Sequence, residues 1–173
     1  MSNYSQEFLS AIQAEVLRRL FDESFPRLRQ CLGELDEAAI WYRPNEHSNS
    51  VGNLVLHLCG NARQWIISGL GGMPDTRKRQ AEFDEQGPIP VADLEALLDV
   101  LEKDIRQVMA QLSPEDLLRE RPVQIYVESG LSILIHVVEH FSYHVGQIVY
   151  FVKTRKNKDM GFYAGQDLGG TSH

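Results

Sequence analysis

Four long segments of this 173-residue chain repeat apolar residues at three- and four-residue steps, and none alternates as a half-buried strand would. That periodicity restricts the fold to packed helices. The first segment runs from about Ser5 to Leu35, with Phe8, Ile12, Val16, Leu20, Leu28 and Leu32 in register. Pro26 inside it predicts a kink or a division into two helices. A turn-rich link, Trp41 to Ser50, follows, and Pro44 within it forbids simple continuation. The second helix is expected to start among the capping residues Ser48, Asn49 and Ser50 and to stop at Gly71–Gly72. The third spans Ala92 to Leu112, with Leu94, Leu97, Leu98, Leu101, Ile105, Val108 and Met109 as its stripe. The fourth spans Gly130 to Arg155.

Between these segments the chain is less regular. Met73 to Pro90 reads as a long connection, charged at TRKRQ and turn-rich at EQGPIP. Its length suits a bundle in which helices two and three are not hairpin neighbours. SPEDLL reads as a cap and a short turn, and Arg121 to Glu128 (RPVQIYVE) as a brief extended stretch. Residues 156–173 have no periodicity and are expected to be loosely ordered, with Phe162 and Tyr163 as their docking residues. The whole, residues 1–173, reads as one all-α domain, a four-helix bundle.

Composition excludes several functions. A formal net charge of −7 argues against a nucleic-acid partner, and the cationic cluster Lys153 to Lys158 is short. No apolar run approaches the ~18 residues of a spanning helix, and the N-terminus lacks the basic and apolar regions of a signal peptide. A cytoplasmic location is therefore expected. Cys31 and Cys59 fit buried thiols in a reducing compartment, outside any CxxC pair.

The chemistry lies in the histidines. At ~100° per residue, His136, His140 and His144 fall along one stripe of the fourth helix, each about 40° further round. Leu131, Leu134, Ile135, Val137, Val138, Phe141, Val145, Ile148, Val149 and Phe151 fill roughly 200° of that helix. His140 and His144 lie within this apolar arc; His136 lies at its border and reads as solvated or supporting. Two inward imidazoles at i, i+4 can converge on one cation, as in HExxH helices, but the internal glutamate of a zincin is missing. A third ligand must come from another helix, and the second offers one histidine, His57, on a polar strip with Asn61 and Gln64. Cys59 points about 200° away from His57. His47, in the link, and His173, at the terminus, are expected to take no part. Tyr143 and Glu139 sit on the wrong arc for a general base, so none is assigned.

The strings NSVGNLVLHLCGNARQWI, after WYRP, and HVVEHFSYHVGQIVYFVK resemble those of the DinB/YfiT-like superfamily, and within it the DUF1572 branch. The likeness runs from the first helix to Lys153. It implies up-down-down-up connectivity, which accommodates the crossover at Met73 to Pro90. It also implies a divalent metal on one histidine of helix two and an i, i+4 pair of the last helix: His57, His140 and His144. Characterised members of the superfamily use mycothiol, bacillithiol or glutathione in transferase and isomerase reactions. The resemblance therefore implies a small-molecule thiol and an electrophilic substrate, although the chain carries no recognisable thiol-binding motif.

Three neutral imidazoles suit zinc, nickel, copper or iron, and zinc or nickel is the expected occupant. The expected activity is that of a metal-dependent transferase or hydrolase. The alternative is a non-catalytic metal-binding or stress-related helical protein. The apolar faces of helices one and three suggest a homodimer.

Overall fold

The N-terminal apolar stripe folds as one unbroken helical rod. In the computed structural model, which describes residues 3–170, α1 (Asn3–Leu17) passes into a π-helical segment (Arg18–Ser24) and then into α2 (Phe25–Gly33). The sequence predicts a kink or division at Pro26; the backbone stays helical and changes its winding instead. The Phe25 N–H reaches back five residues to the Leu20 carbonyl. This wider turn ends beside Pro26, whose ring and missing N–H disfavour an ordinary i→i−4 bond. A short helix, α3 (Glu37–Ile40), follows, capped by Asp36, whose Oδ1 accepts from the Ala39 N–H at 2.8 Å.

Ser50 starts the next helix as expected. Its Oγ accepts from the Asn53 N–H at 3.1 Å, and Asn53 Oδ1 accepts from the Ser50 N–H at 3.2 Å. This reciprocal cap satisfies two orphan donors of α4 (Val51–Ala62). A second π-helical segment (Arg63–Leu70) extends it to Gly71–Gly72, where Gly72 turns the chain at φ +71°. The stretch read as a bare connection contains a helix, α5 (Arg79–Asp84), before α6 (Val91–Gln111). SPEDLL forms α7 (Pro114–Leu118). The extended stretch becomes an antiparallel hairpin, β1 (Glu120–Val123) and β2 (Tyr126–Ser129), turning at Gln124 with φ 56°. Ser129 then caps α8 (Gly130–Lys156), and Asn157 ends it in the left-handed conformation. Among the described residues the structure is thus mostly helical, with one small two-stranded sheet.

Packing follows the apolar faces. α8 lies against α2 on one side and against α4 with its π extension on the other, and α6 packs on α4, that extension and α2. Phe25, Leu28, Leu58, Ile66, Leu98, Leu101, Phe141 and Ile148 are completely or almost completely buried between them. The rings of Phe25 and Phe141 stack at 5.4 Å. Leu97, in the stripe of α6, is 42% exposed, and Ile135, in the apolar arc of α8, is 51% exposed, so both arcs are wider than the surface they bury. After α8 the chain folds back on α2: Met160 is buried, its carbonyl accepts from Gln30 Nε2 at 2.8 Å, and Phe162 packs against the core. Among the described residues no helix is long and apolar enough to cross a membrane.

Phe141 joins the first rod to the histidine-bearing helix, so Phe141→Ala should cost about 3–5 kcal/mol of unfolding free energy by urea titration. A loss below about 1 kcal/mol would mean the interface collapses around the gap.

Candidate metal centre

The capped start of α4 and the long run of α8 bring three histidines together. His57 on α4 is 5% exposed, and His140 and His144 on α8 are half-buried. One ring nitrogen from each lies within 4.8 Å of the others, a spacing at which they can hold a metal ion. His57 Nε2 and His140 Nε2 face each other at 3.1 Å. The ring of His144 stands edge-on to both, with centroids 5.2 Å from His57 and 4.5 Å from His140. Successive turns of one helix supply the pair, and a neighbouring helix closes the triangle.

On His57 and His144 the nitrogens turned away from this triangle have partners, and these orient the rings. His144 Nδ1 donates to Gln147 Oε1 at 2.8 Å, one turn further along α8. His57 Nδ1 donates to Glu82 Oε2 at 2.9 Å, which leaves its Nε2 lone pair facing the other rings. Glu82 comes from α5, inside the segment read as a connection. Arg77 holds the same carboxylate twice, Nε to Oε1 at 2.7 Å and Nη2 to Oε2 at 2.9 Å. Gln64 Oε1 accepts from Arg77 Nη1 at 2.9 Å. The backbone of α5 is pinned to α4 by Asn53, whose Nδ2 donates to the carbonyls of Glu82 at 2.9 Å and Glu85 at 2.8 Å. Phe83 covers the His57 ring at 4.7 Å. Gly60 makes room for all this: a Cβ there would lie 2.0 Å from Glu82 Oε1.

Burial sets the electrostatics. The His140 imidazole is pushed down to about 3, first by its removal from water and then by the neighbouring His144, His57, His136 and Arg77. His144 also shifts down, chiefly through burial, against the opposing hydrogen bond to Gln147. Burial alone would raise the Glu82 carboxyl; the hydrogen bonds from Arg77 and His57 outweigh it and hold it below its usual range. His140 and His144 are thus kept as neutral imidazoles near pH 7, the protonation state a metal requires. His140 Nδ1 is buried with no hydrogen-bond partner, whereas its Nε2 faces the His57 Nε2 lone pair at 3.1 Å, which favours the proton on His140 Nε2 when no ion is bound.

The other histidines stand apart. His136 stacks on Trp65 at 3.6 Å, and its Nε2 accepts from Asn61 Nδ2 at 3.2 Å, which makes it part of the wall beside the triad. His47 is on the surface, 3.3 Å from Glu46. His173 lies outside the described residues. Cys59 is buried away from the triad, its thiol pushed up to about 12 by burial. Tyr143 and Glu139 point outward, as their helix phase predicts. Glu82 and Arg77 were not identified from sequence. Arg77 carried no signal beyond a charged run, because its role depends on a chain reversal that periodicity does not encode.

The family described as "Protein of unknown function (DUF1572)" matches residues 3–164. The chain belongs to the DUF1572 family. No curated protein matches it. In this DUF1572 chain the matched span includes all three histidines and the α5 clamp, so the site lies wholly within the family's domain.

Two measurements check the outer contacts. Glu82→Gln should keep the fold, by circular dichroism, and weaken zinc binding about tenfold by competition titration; an unchanged affinity would remove Glu82 from the site. The pH dependence has a defined sign. His140 titrates at 6.5 unfolded and about 3 folded, so between these values the unfolded chain binds more protons. The His140 contribution to stability is complete above pH 6.5 and is lost as pH falls toward 3. With chelator present, His140→Gln should lose less stability than wild type between pH 7 and 5, by on the order of 1 kcal/mol after allowance for partial solvation. Equal slopes would contradict the burial of a neutral ring.

Proposed function

We propose that His57, His140 and His144 hold one divalent ion, zinc or nickel, and that the chain is a metal-dependent transferase or hydrolase of the DinB type. The observation that carries the reading is the convergence of three imidazole nitrogens within 4.8 Å, drawn from two helices. The donor chemistry fits. Three neutral nitrogen ligands suit borderline divalent ions, leave positions open to a further ligand, and are too few for a closed structural zinc site. When bound, such an ion supplies Lewis acidity, lowering the pKa of coordinated water to ~7 or favouring a coordinated thiol as thiolate.

The chain's own residues supply position rather than proton transfer. Glu82 and Gln147 set the ring directions of His57 and His144, and Phe83 shields one face of the His57 ring from water. The substrate pair in this reading is a low-molecular-weight thiol and an electrophile, supported by the likeness of the two histidine segments to the DinB/YfiT-like superfamily. The same likeness supports an up-down-down-up order for the four long helical stretches, with Met73 to Pro90 as the crossover. A non-catalytic metal-binding role is favoured by one observation: Glu82, the carboxylate touching the triad, is saturated by Arg77 and His57 and offers no free base.

Metal analysis of untagged protein should give about one ion per chain for wild type and below about 0.2 for His140→Ala. Equal and negligible content in both would overturn the metal reading. Loaded protein should then accelerate conjugation of glutathione, bacillithiol or mycothiol with an aryl halide electrophile. No acceleration with any of the three would favour the non-catalytic role.

A further inference from the structure

The stripe of α8 that carries the metal-binding pair continues past it. His140, His144, Ile148, Phe151 and Arg155 recur at steps of three and four, so all five share one face of the helix. Beyond His144 that face forms one wall of a cavity of about 610 Å³. Leu54, one turn before His57 on α4, and Tyr42, in the link after α3, are on other walls. Small-molecule sites typically enclose ~300–1,000 Å³. Gln147 joins the cavity to the histidines: its side chain lines the cavity while its Oε1 accepts from His144 Nδ1 at 2.8 Å.

The cavity has a distinct character. Its lining is largely aliphatic and aromatic, and the rings of Tyr42 and Phe151 lie 6.4 Å apart and near parallel. Among the described residues no carboxylate lines it, in a chain whose formal net charge is −7. His47, also on the lining, pairs with Glu46 on the surface. Arg155 has no ion-pair partner among the described residues; its guanidinium rests 5.0 Å from the centroid of the Tyr42 ring. Stacking on a ring leaves the edge of the guanidinium, with its paired N–H donors, free for an anion. Arg155 lies roughly three turns beyond His144, about 16 Å along the helix axis.

We propose that this cavity is the substrate subsite of the metal centre, and that it takes an elongated small molecule with an anionic head group and an apolar, ring-bearing body. Arg155 holds the anion, Phe151 and Tyr42 hold the body, and the far end points toward His144. The orientation, though not the binding, rests on the metal reading. Charge complementarity selects the class: an uncharged analogue leaves the Arg155 donors with water only, and a cation meets an unpaired guanidinium.

The test uses 6-phenylhexanoate and its uncharged amide with the full chain, observed by ligand NMR first in EDTA and then after cobalt(II) loading. In EDTA the acid should bind more tightly than the amide. Arg155→Gln should weaken the acid about tenfold and change the amide less than about twofold. Phe151→Ala should weaken both. Equal binding of acid and amide to wild type, no binding of either, or an acid affinity untouched by Arg155→Gln overturns the subsite, whatever the metal does. With cobalt bound, the phenyl protons should relax faster than those beside the carboxylate. The reverse gradient overturns the orientation. Acid-selective binding in a protein that takes up no cobalt overturns the metal reading and supports the anion subsite on its own.

Discussion

A carboxylate held between a guanidinium and an imidazole organises the histidine end of this molecule. Taking Glu82 and Arg77 out of water costs several kcal/mol per ion in general, and only good geometry with further hydrogen bonds offsets it. Those conditions are met here. Arg77 meets the carboxylate with two N–H donors, His57 adds a third, and Gln64 accepts from the guanidinium. The arrangement is possible only because Gly60 has no side chain where Glu82 lies against α4. The reach of chain between α4 and α6 is therefore a functional element: its helix α5 is the part that points His57 at its partners.

From that fixed histidine the rest of the site follows by helix geometry. α8 contributes the other two rings from successive turns, and its packing on Phe25 through Phe141 sets how deeply they sit. Sites carried on helices hold their geometry better than sites on loops, because each ligand inherits the rigidity of a packed rod. The two π-helical segments belong to the same scheme. Each lies within a long helix that flanks α8, and the second leads Trp65 to its stacking contact with His136. π-turns often occur near functional sites, and here one borders the wall of the metal centre.

Much of the frame was legible in the sequence. The long helical segments, the cap at Ser50 and the stop at Gly71–Gly72 follow from local rules about periodicity and termini, and they are found within a few residues of expectation. Helix phase also separated His140 and His144 from His136, because all three are read against one rigid cylinder. His57 was weaker: its polar strip with Asn61 and Gln64 marked a groove, and the likeness to known histidine segments made it a ligand. The π-winding before Pro26 was not legible, since a proline signals strain but not how the chain relieves it. Arg121 to Glu128 reads as extended, but its reversal at Gln124 into a paired hairpin was not legible, since no Gly, Asn or Asp marks the turn.

The sequence by itself determined where the four long helical stretches lie, the core of the face each buries, and that two imidazoles on α8 share a direction. These are properties of the backbone repeat, and neighbours three or four residues apart decide them. Tertiary structure decided everything that joins distant segments: His57 beside His140, Glu82 behind His57, His136 against Trp65, and the cavity that Tyr42 and Arg155 help to line. Such contacts depend on how rods and connections pack around a shared core, and no local period in the chain records that choice.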